Sequence, residues 1–148
     1  MNVVLFKQIS ILSLFFGGVI GLLTLAPYVG TYGLIFLLCF IAPLVIWLLI
    51  KYNCLSLSSV KDSIMVGAIA GFVAYIGFSI IYLPVSVILI KIFNYSANQG
   101  VGLMINHANL FILSVVSIFM GVVGATINSF TGFITFYVME LFKSKDKH

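Results

Sequence analysis

Charge is what this chain has least of. Only 7% of its 148 residues are charged, against 63% hydrophobic, where a soluble domain carries roughly 25% charged residues. So few charges cannot cover a water-facing surface, which excludes an ordinary soluble domain. Arginine is absent, and all seven basic residues are lysine. Three long stretches carry no charge at all: Gln8 to Ile50, Ser63 to Ile90, and Ile92 to Met139. Ionisable groups inside a membrane mark proton relays, voltage sensors and carboxylate cation sites. Their absence argues against all three within one protomer.

Catalytic and metal chemistry are also thinly provided for. The two cysteines, Cys39 and Cys54, lack CxxC spacing and read as reduced packing residues. The histidines, His107 and His148, are distant from each other and make no metal site with them. HExxH, a partnered GxSxG and a Walker motif are missing. No histidine or lysine lies at the depth of the plentiful serines to activate one. The expectation is a non-enzyme with no catalytic residue, no metal ligand and no cofactor. Asp62 and Glu140 sit at span ends as boundary carboxylates, Asp62 where a helix dipole favours negative charge. A net charge of +4 raises nucleic acid as a partner, but the lysines flank apolar spans, so topology explains them better.

What the chain does have is apolar length. About 20 residues at 1.5 Å rise cross a hydrocarbon core of about 30 Å. The runs predict an all-α membrane protein: four transmembrane helices in a bundle, near 6–26, 31–50, 63–90 and 109–139. These form one integral membrane domain over 1–148, with a basic tail at 143–148. Pro27, Gly30 and Gly33 mark the first turn. The apolar stretch Ile9–Ala26 exceeds the 7–15 residues of a signal h-region, so the first span reads as retained. Pro43 lies inside the second span and Pro84 inside the third, where it removes a hydrogen bond to the Ile80 carbonyl and predicts a bend. Gly132 marks a candidate break in the fourth, after which 130–142 would follow the interface. The connection 91–108 is the most polar; its apolar piece, Val101 to Ile105, would dip back or rest on the interface.

Orientation follows from lysine placement. With the N-terminus inside, Lys7, Lys51, Lys61, Lys143, Lys145 and Lys147 are cytoplasmic and only Lys91 is outside. Both termini are then cytoplasmic, in a bilayer expected to be a bacterial inner membrane.

Three spans share a four-residue spacing of small side chains: Ser13, Gly17, Gly21; Ser63, Gly67, Gly71; and Ser117, Gly121, Ala125, continuing to Ser129. Steps of three extend these to Thr24, to Ala74 and Gly77, and to Gly124 and Asn128. Such faces let helix backbones approach closely. The second span has no such stripe and is expected at the periphery.

The polar groups at mid-span are Tyr75 and Ser79, then Thr126, Asn128, Thr131 and Thr135. A primary amide is costly in lipid without a partner, so Asn128 predicts an interhelical bond, with Tyr75 the expected partner; the sharper alternative is a polar pocket. Two functional readings follow. One is a non-enzymatic accessory, assembly or self-associating subunit acting through helix contacts, as a homo-oligomer or with another membrane protein. Its basis is small-residue faces in excess of what one bundle needs. The other is an oligomeric channel or facilitator for a small neutral solute; a holin-like lesion former is a third, more remote reading.

Overall fold

The computed structural model describes residues 3–145, apart from 27, 53, 55–58, 97–98 and 108. The expected turn residue Pro27, most of the loop after Tyr52, and the tail end Asp146 to His148 lie outside the described residues. Those described form six helices and no strand: α1 (Val3–Leu23), α2 (Gly30–Cys39), α3 (Ile41–Lys51), α4 (Val60–Phe93), α5 (Gln99–His107) and α6 (Leu110–Lys145). Three of them are long and apolar enough to cross a membrane; α2 and α3, bent by 57° at their junction, count as a fourth span if taken together.

Local chemistry sets several of the ends. The Ser59 hydroxyl accepts from the Asp62 amide at 3.2 Å and caps α4. Asn94 stops α4 in the left-handed conformation, at φ 51°. The Asn109 side chain accepts from the Ile112 amide at 2.9 Å and starts α6. The 34 residues of α4 and 36 of α6 would measure roughly 50–54 Å as straight helix, well beyond a bilayer core.

Three expectations about elements change, and the candidate break in the fourth span is set aside. The second predicted span is two helices with a break at Phe40. It is also not peripheral: Ile41, Ala42, Val45 and Ile46 of α3 are fully buried. Branched side chains, rather than glycines, fit this helix into the space left by α1, α4 and α6. The fourth span does not break at Gly132, since α6 runs through it; a glycine weakens a helix by only about 1 kcal/mol, which neighbours offset. The polar connection contains a helix of its own, α5, with Gly102 and Ile105 buried. Pro84 lies within α4 without interrupting the helical assignment.

α4 is the centre of the structure. On one side it runs parallel to α1. A Cβ added at Gly17 would collide with the Ala74 carbonyl, one at Gly77 with the Leu14 carbonyl, and one at Gly21 would sit 3.0 Å from the Phe78 carbonyl. On the other side it runs antiparallel to α6, and the pairs step along in strict register. Ser63 faces Gly132, Gly67 faces Asn128, and Gly71 faces Gly124. The Ser63 hydroxyl donates to the Gly132 carbonyl at 2.6 Å. The α6 face at this crossing is Gly124, Asn128 and Gly132. Gly121 instead lies against the Phe72 ring, 3.2 Å from where its Cβ would be, and Ala125 is half-buried. Large apolar side chains point outward along α1 and α6, with Phe15, Phe111 and Phe119 each more than 60% exposed.

The contrast between Gly67 and Gly121 is testable. Gly67→Val pushes a branched side chain against α6 backbone and is expected to lower stability in detergent by about 3 kcal/mol, the upper range for overpacking. Gly121→Val meets only a ring that can turn, and should cost less than about 1 kcal/mol. Denaturant unfolding followed by circular dichroism checks both; equal losses would refute the register described.

Candidate functional site

The break between α2 and α3 starts from one residue. Pro43 has no N–H, and its ring clashes with the carbonyl four residues back, that of Cys39. The ladder survives on either side: the Phe40 amide donates to Phe36 at 2.9 Å and the Leu44 amide to Phe40 at 3.1 Å. Between them the chain bends, and the bond from the Ala42 amide to the Leu38 carbonyl opens.

Asn128 of α6 fills that opening. Its Oδ1 accepts from the Ala42 amide at 2.9 Å, and its Nδ2 donates to the Leu38 carbonyl at 2.8 Å. The side-chain amide thus stands inside a helical rung, offering each half the partner it lost. Nδ2 also reaches the Leu37 carbonyl at 3.2 Å and the Gly124 carbonyl of its own helix at 2.9 Å. Asn128 is fully buried, so these bonds form where water does not compete and where an orphaned group costs most. Insertion of a side chain into the ladder is a recognised cause of a sharp kink.

Gly71 makes the reach possible. A Cβ there would stand 2.6 Å from the Asn128 Cβ and 2.9 Å from Nδ2. Only a residue without a side chain lets α6 come this close while Asn128 passes across toward α2 and α3.

Beyond this crossing the α4–α6 register continues into larger residues, and a cavity of about 250 Å³ opens. Its α4 wall carries Tyr75, Ser79 and Tyr82, and its α6 wall Ser117 and Met120. Leu34 and Leu38 of α2 and Met104 of α5 also line it. Phe78 and Tyr82 stack with centroids 4.8 Å apart, and Tyr75 tilts against Phe78 at 5.5 Å. Leu38 joins the two features: its side chain lines the cavity and its carbonyl is held by Asn128.

The structure therefore separates the polar residues singled out in the sequence. Tyr75 and Ser79 line the cavity. Asn128 lies beside it in the break, and its amide bonds with backbone rather than with Tyr75. The backbone groups freed at the break, the Ala42 N–H and the Leu38 carbonyl, take the amide's acceptor and donor instead. Thr126 is exposed and donates to the Val122 carbonyl at 2.9 Å, outside the site. Thr131 and Thr135 likewise donate to carbonyls of α6. Gly17, Gly21, Gly67 and Gly71 face helices of the same chain. Among the described residues the buried hydroxyls of Ser10 and Ser13 have no hydrogen-bond partner, and nothing in the structure explains them. Sequence reasoning missed Ser117 as a cavity residue, having treated it as a small packing residue. It also missed the break, for which Pro43 and a lone buried amide were the two available signals. Among the described residues no group of three histidine, cysteine or acidic side chains could hold a metal ion.

No protein-family model matches the chain, and no curated protein or solved structure matches it either.

Asn128→Leu removes the amide and strands the Ala42 N–H and Leu38 carbonyl. Each unsatisfied buried group costs about 1–3 kcal/mol, so a loss of roughly 2–4 kcal/mol is expected. Pro43→Ala restores a helical donor at position 43 and should recover part of that loss when combined with Asn128→Leu. A double-mutant cycle by denaturant unfolding measures the coupling; strictly additive effects would separate Asn128 from the break.

Proposed function

We propose that the chain is a non-enzymatic integral membrane protein of four spans, α2 and α3 together forming the second. Both termini lie on the cytoplasmic side of a bacterial inner membrane. It holds a small neutral solute within a single chain, as a facilitator or carrier. The observation that carries this reading is the cavity beside the Asn128-bridged break. It is walled by apolar and aromatic side chains, with the hydroxyls of Tyr75, Ser79, Tyr82 and Ser117 as its polar groups. An apolar cavity with a few placed polar groups suits a neutral ligand better than a charged one. Its volume also speaks for occupancy. An apolar cavity of about 150 Å³ takes up benzene, and this one measures about 250 Å³.

Topology is supported by the lysine distribution and by Lys51, whose ammonium lies 4.9 Å from the Trp47 ring, a pairing suited to an interface. The reading as an assembly subunit drew on small-residue faces in excess of one bundle's needs. The glycines at 17, 21, 67 and 71 meet helices of the same chain, so the geometry favours the solute reading.

Two measurements test this proposal. Cys54 is exposed between α3 and α4. In sealed inside-out vesicles a membrane-impermeant maleimide should label it, and in right-side-out vesicles it should not; the opposite pattern would reverse the topology. For the solute, the full chain in nanodiscs should bind benzyl alcohol, detected by saturation-transfer NMR. Met120→Trp fills the cavity and should weaken binding about tenfold or more, a loss of at least about 1.4 kcal/mol. Unchanged binding in a folded Met120→Trp protein would remove the cavity as the site.

A further inference from the structure

The cavity has a neighbour on the lipid-facing side of the same two helices. A cleft of about 370 Å³ runs between α4 and α6, lined by Ile76, Ile80, Ser114 and Ile118 together with Ser79, Leu83 and Ser117. The last three residues also line the cavity. The two spaces are therefore separated by one layer of side chains, and two of the three are serines, the smallest residues in that layer.

The side-chain sizes along the α4–α6 register produce this arrangement. Where Ser63, Gly67 and Gly71 meet Gly132, Asn128 and Gly124, the backbones touch. Further along, α4 presents Tyr75, Ser79 and Tyr82, and α6 presents Met120, Ser117 and Leu113, and open space remains on both sides of the contact.

The hydroxyls in the shared layer are uncommitted. Threonines and serines further along α6 return theirs to the carbonyl four residues back, as Thr126, Ser129 and Thr135 do at 2.7–2.9 Å. Ser79 and Ser117 are half-buried, and among the described residues neither hydroxyl has a hydrogen-bond partner. Each can donate or accept. In the next turn of α4, Pro84 leaves the Ile80 carbonyl without its helical donor, which adds an acceptor at the same level. The cleft carries no charged residue, and its exposed walls are aliphatic: Ile80 is 58% exposed and Ile118 61%.

We infer that Ser79 and Ser117 form a lateral portal through which a neutral, membrane-dissolved amphiphile, a single-chain alcohol in its simplest form, reaches the cavity from the lipid phase. Its chain lies in the cleft and its hydroxyl meets the two serines, while the cavity accepts the head or a small ring. This rests on the membrane and neutral-solute reading above and specifies the ligand class and its route. A carboxylate of the same chain length would have to leave its charge unpaired beside apolar walls, and is rejected.

A photolabelling experiment on the full chain in phosphatidylcholine nanodiscs tests the portal. The probes are a decanol carrying its diazirine beside the hydroxyl, the matching decanoate, and water-soluble benzyl alcohol as competitor. Decanol should label cavity residues such as Met120 and Tyr75 above the lipid-facing background on α1, decanoate should not, and benzyl alcohol should compete. Ser117→Ala should weaken decanol labelling about fivefold, the equivalent of one hydrogen bond. Ile118→Trp fills the cleft without touching the cavity. It should suppress decanol labelling of Met120 while leaving benzyl alcohol binding intact, which also shows that the variant is folded. Benzyl alcohol binding with no decanol labelling of the cavity, or decanol labelling indifferent to Ile118→Trp, would overturn the portal and leave the solute reading standing. Loss of both ligands from the unmodified protein would overturn both.

Discussion

The structure depends on one amide. Asn128 bridges a backbone gap that Pro43 creates in a different part of the chain, and in doing so joins α2, α3 and α6 at a single buried point. The tight contacts between α4 and α6 serve that meeting. Gly71 clears space for the Asn128 side chain, Gly67 brings the α6 backbone down onto α4, and the Ser63 hydroxyl ties the next turn to Gly132. Between apolar helices in lipid no hydrophobic effect operates, and contacts there come from van der Waals packing and hydrogen bonds of this kind. A primary amide suits the junction because it carries a donor and an acceptor on separate atoms, as the peptide group does, and so can meet a carbonyl and an N–H at once.

α4 then divides the molecule lengthwise into a close half and an open half. In the close half, serine and glycine let backbones touch. In the open half, aromatic residues on α4 and methionine and leucine on α6 hold the helices apart, with the stacked Phe78 and Tyr82 stiffening one wall. The cavity is thus a consequence of side-chain volume changing along a fixed register. Leu38 transmits between the halves, since its carbonyl belongs to the bridge and its side chain to the cavity wall.

Much of the helical architecture was legible in the sequence, and the reasons for the gaps are physical. Apolar runs between lysines locate α1 and α4 to within three residues at each end and α6 to within six, because length and hydropathy are one-dimensional properties. The four-residue spacing at Gly17 and Gly21, and at Gly67 and Gly71, places glycines at positions where the structure brings backbones together. On α6 the same spacing occurs twice, one set containing Gly121 and the other Gly124, and sequence periodicity does not choose between them. Pro43 announces trouble in the second span without saying whether the outcome is a kink or a break; that depends on Asn128, more than eighty residues away. The pairing expected with Tyr75 failed because the backbone groups exposed at the Pro43 break, which the sequence does not reveal, occupy the Asn128 amide. The buried position of α3 was hidden for a related reason: the absence of glycine says nothing about whether branched side chains find a hollow to fill.

The separation in sequence between the two halves of the bridge carries a consequence for biosynthesis. The ribosome delivers Leu38 and Ala42 long before Asn128, 86 residues after Ala42. At about 5–20 residues per second this amounts to roughly 4–17 s of elongation. Throughout that interval the junction of α2 and α3 has no α6 amide to bridge it. α6 is therefore the helix that lets the junction of α2 and α3 take its final shape, and a chain stalled before residue 128 would hold that junction without its partner.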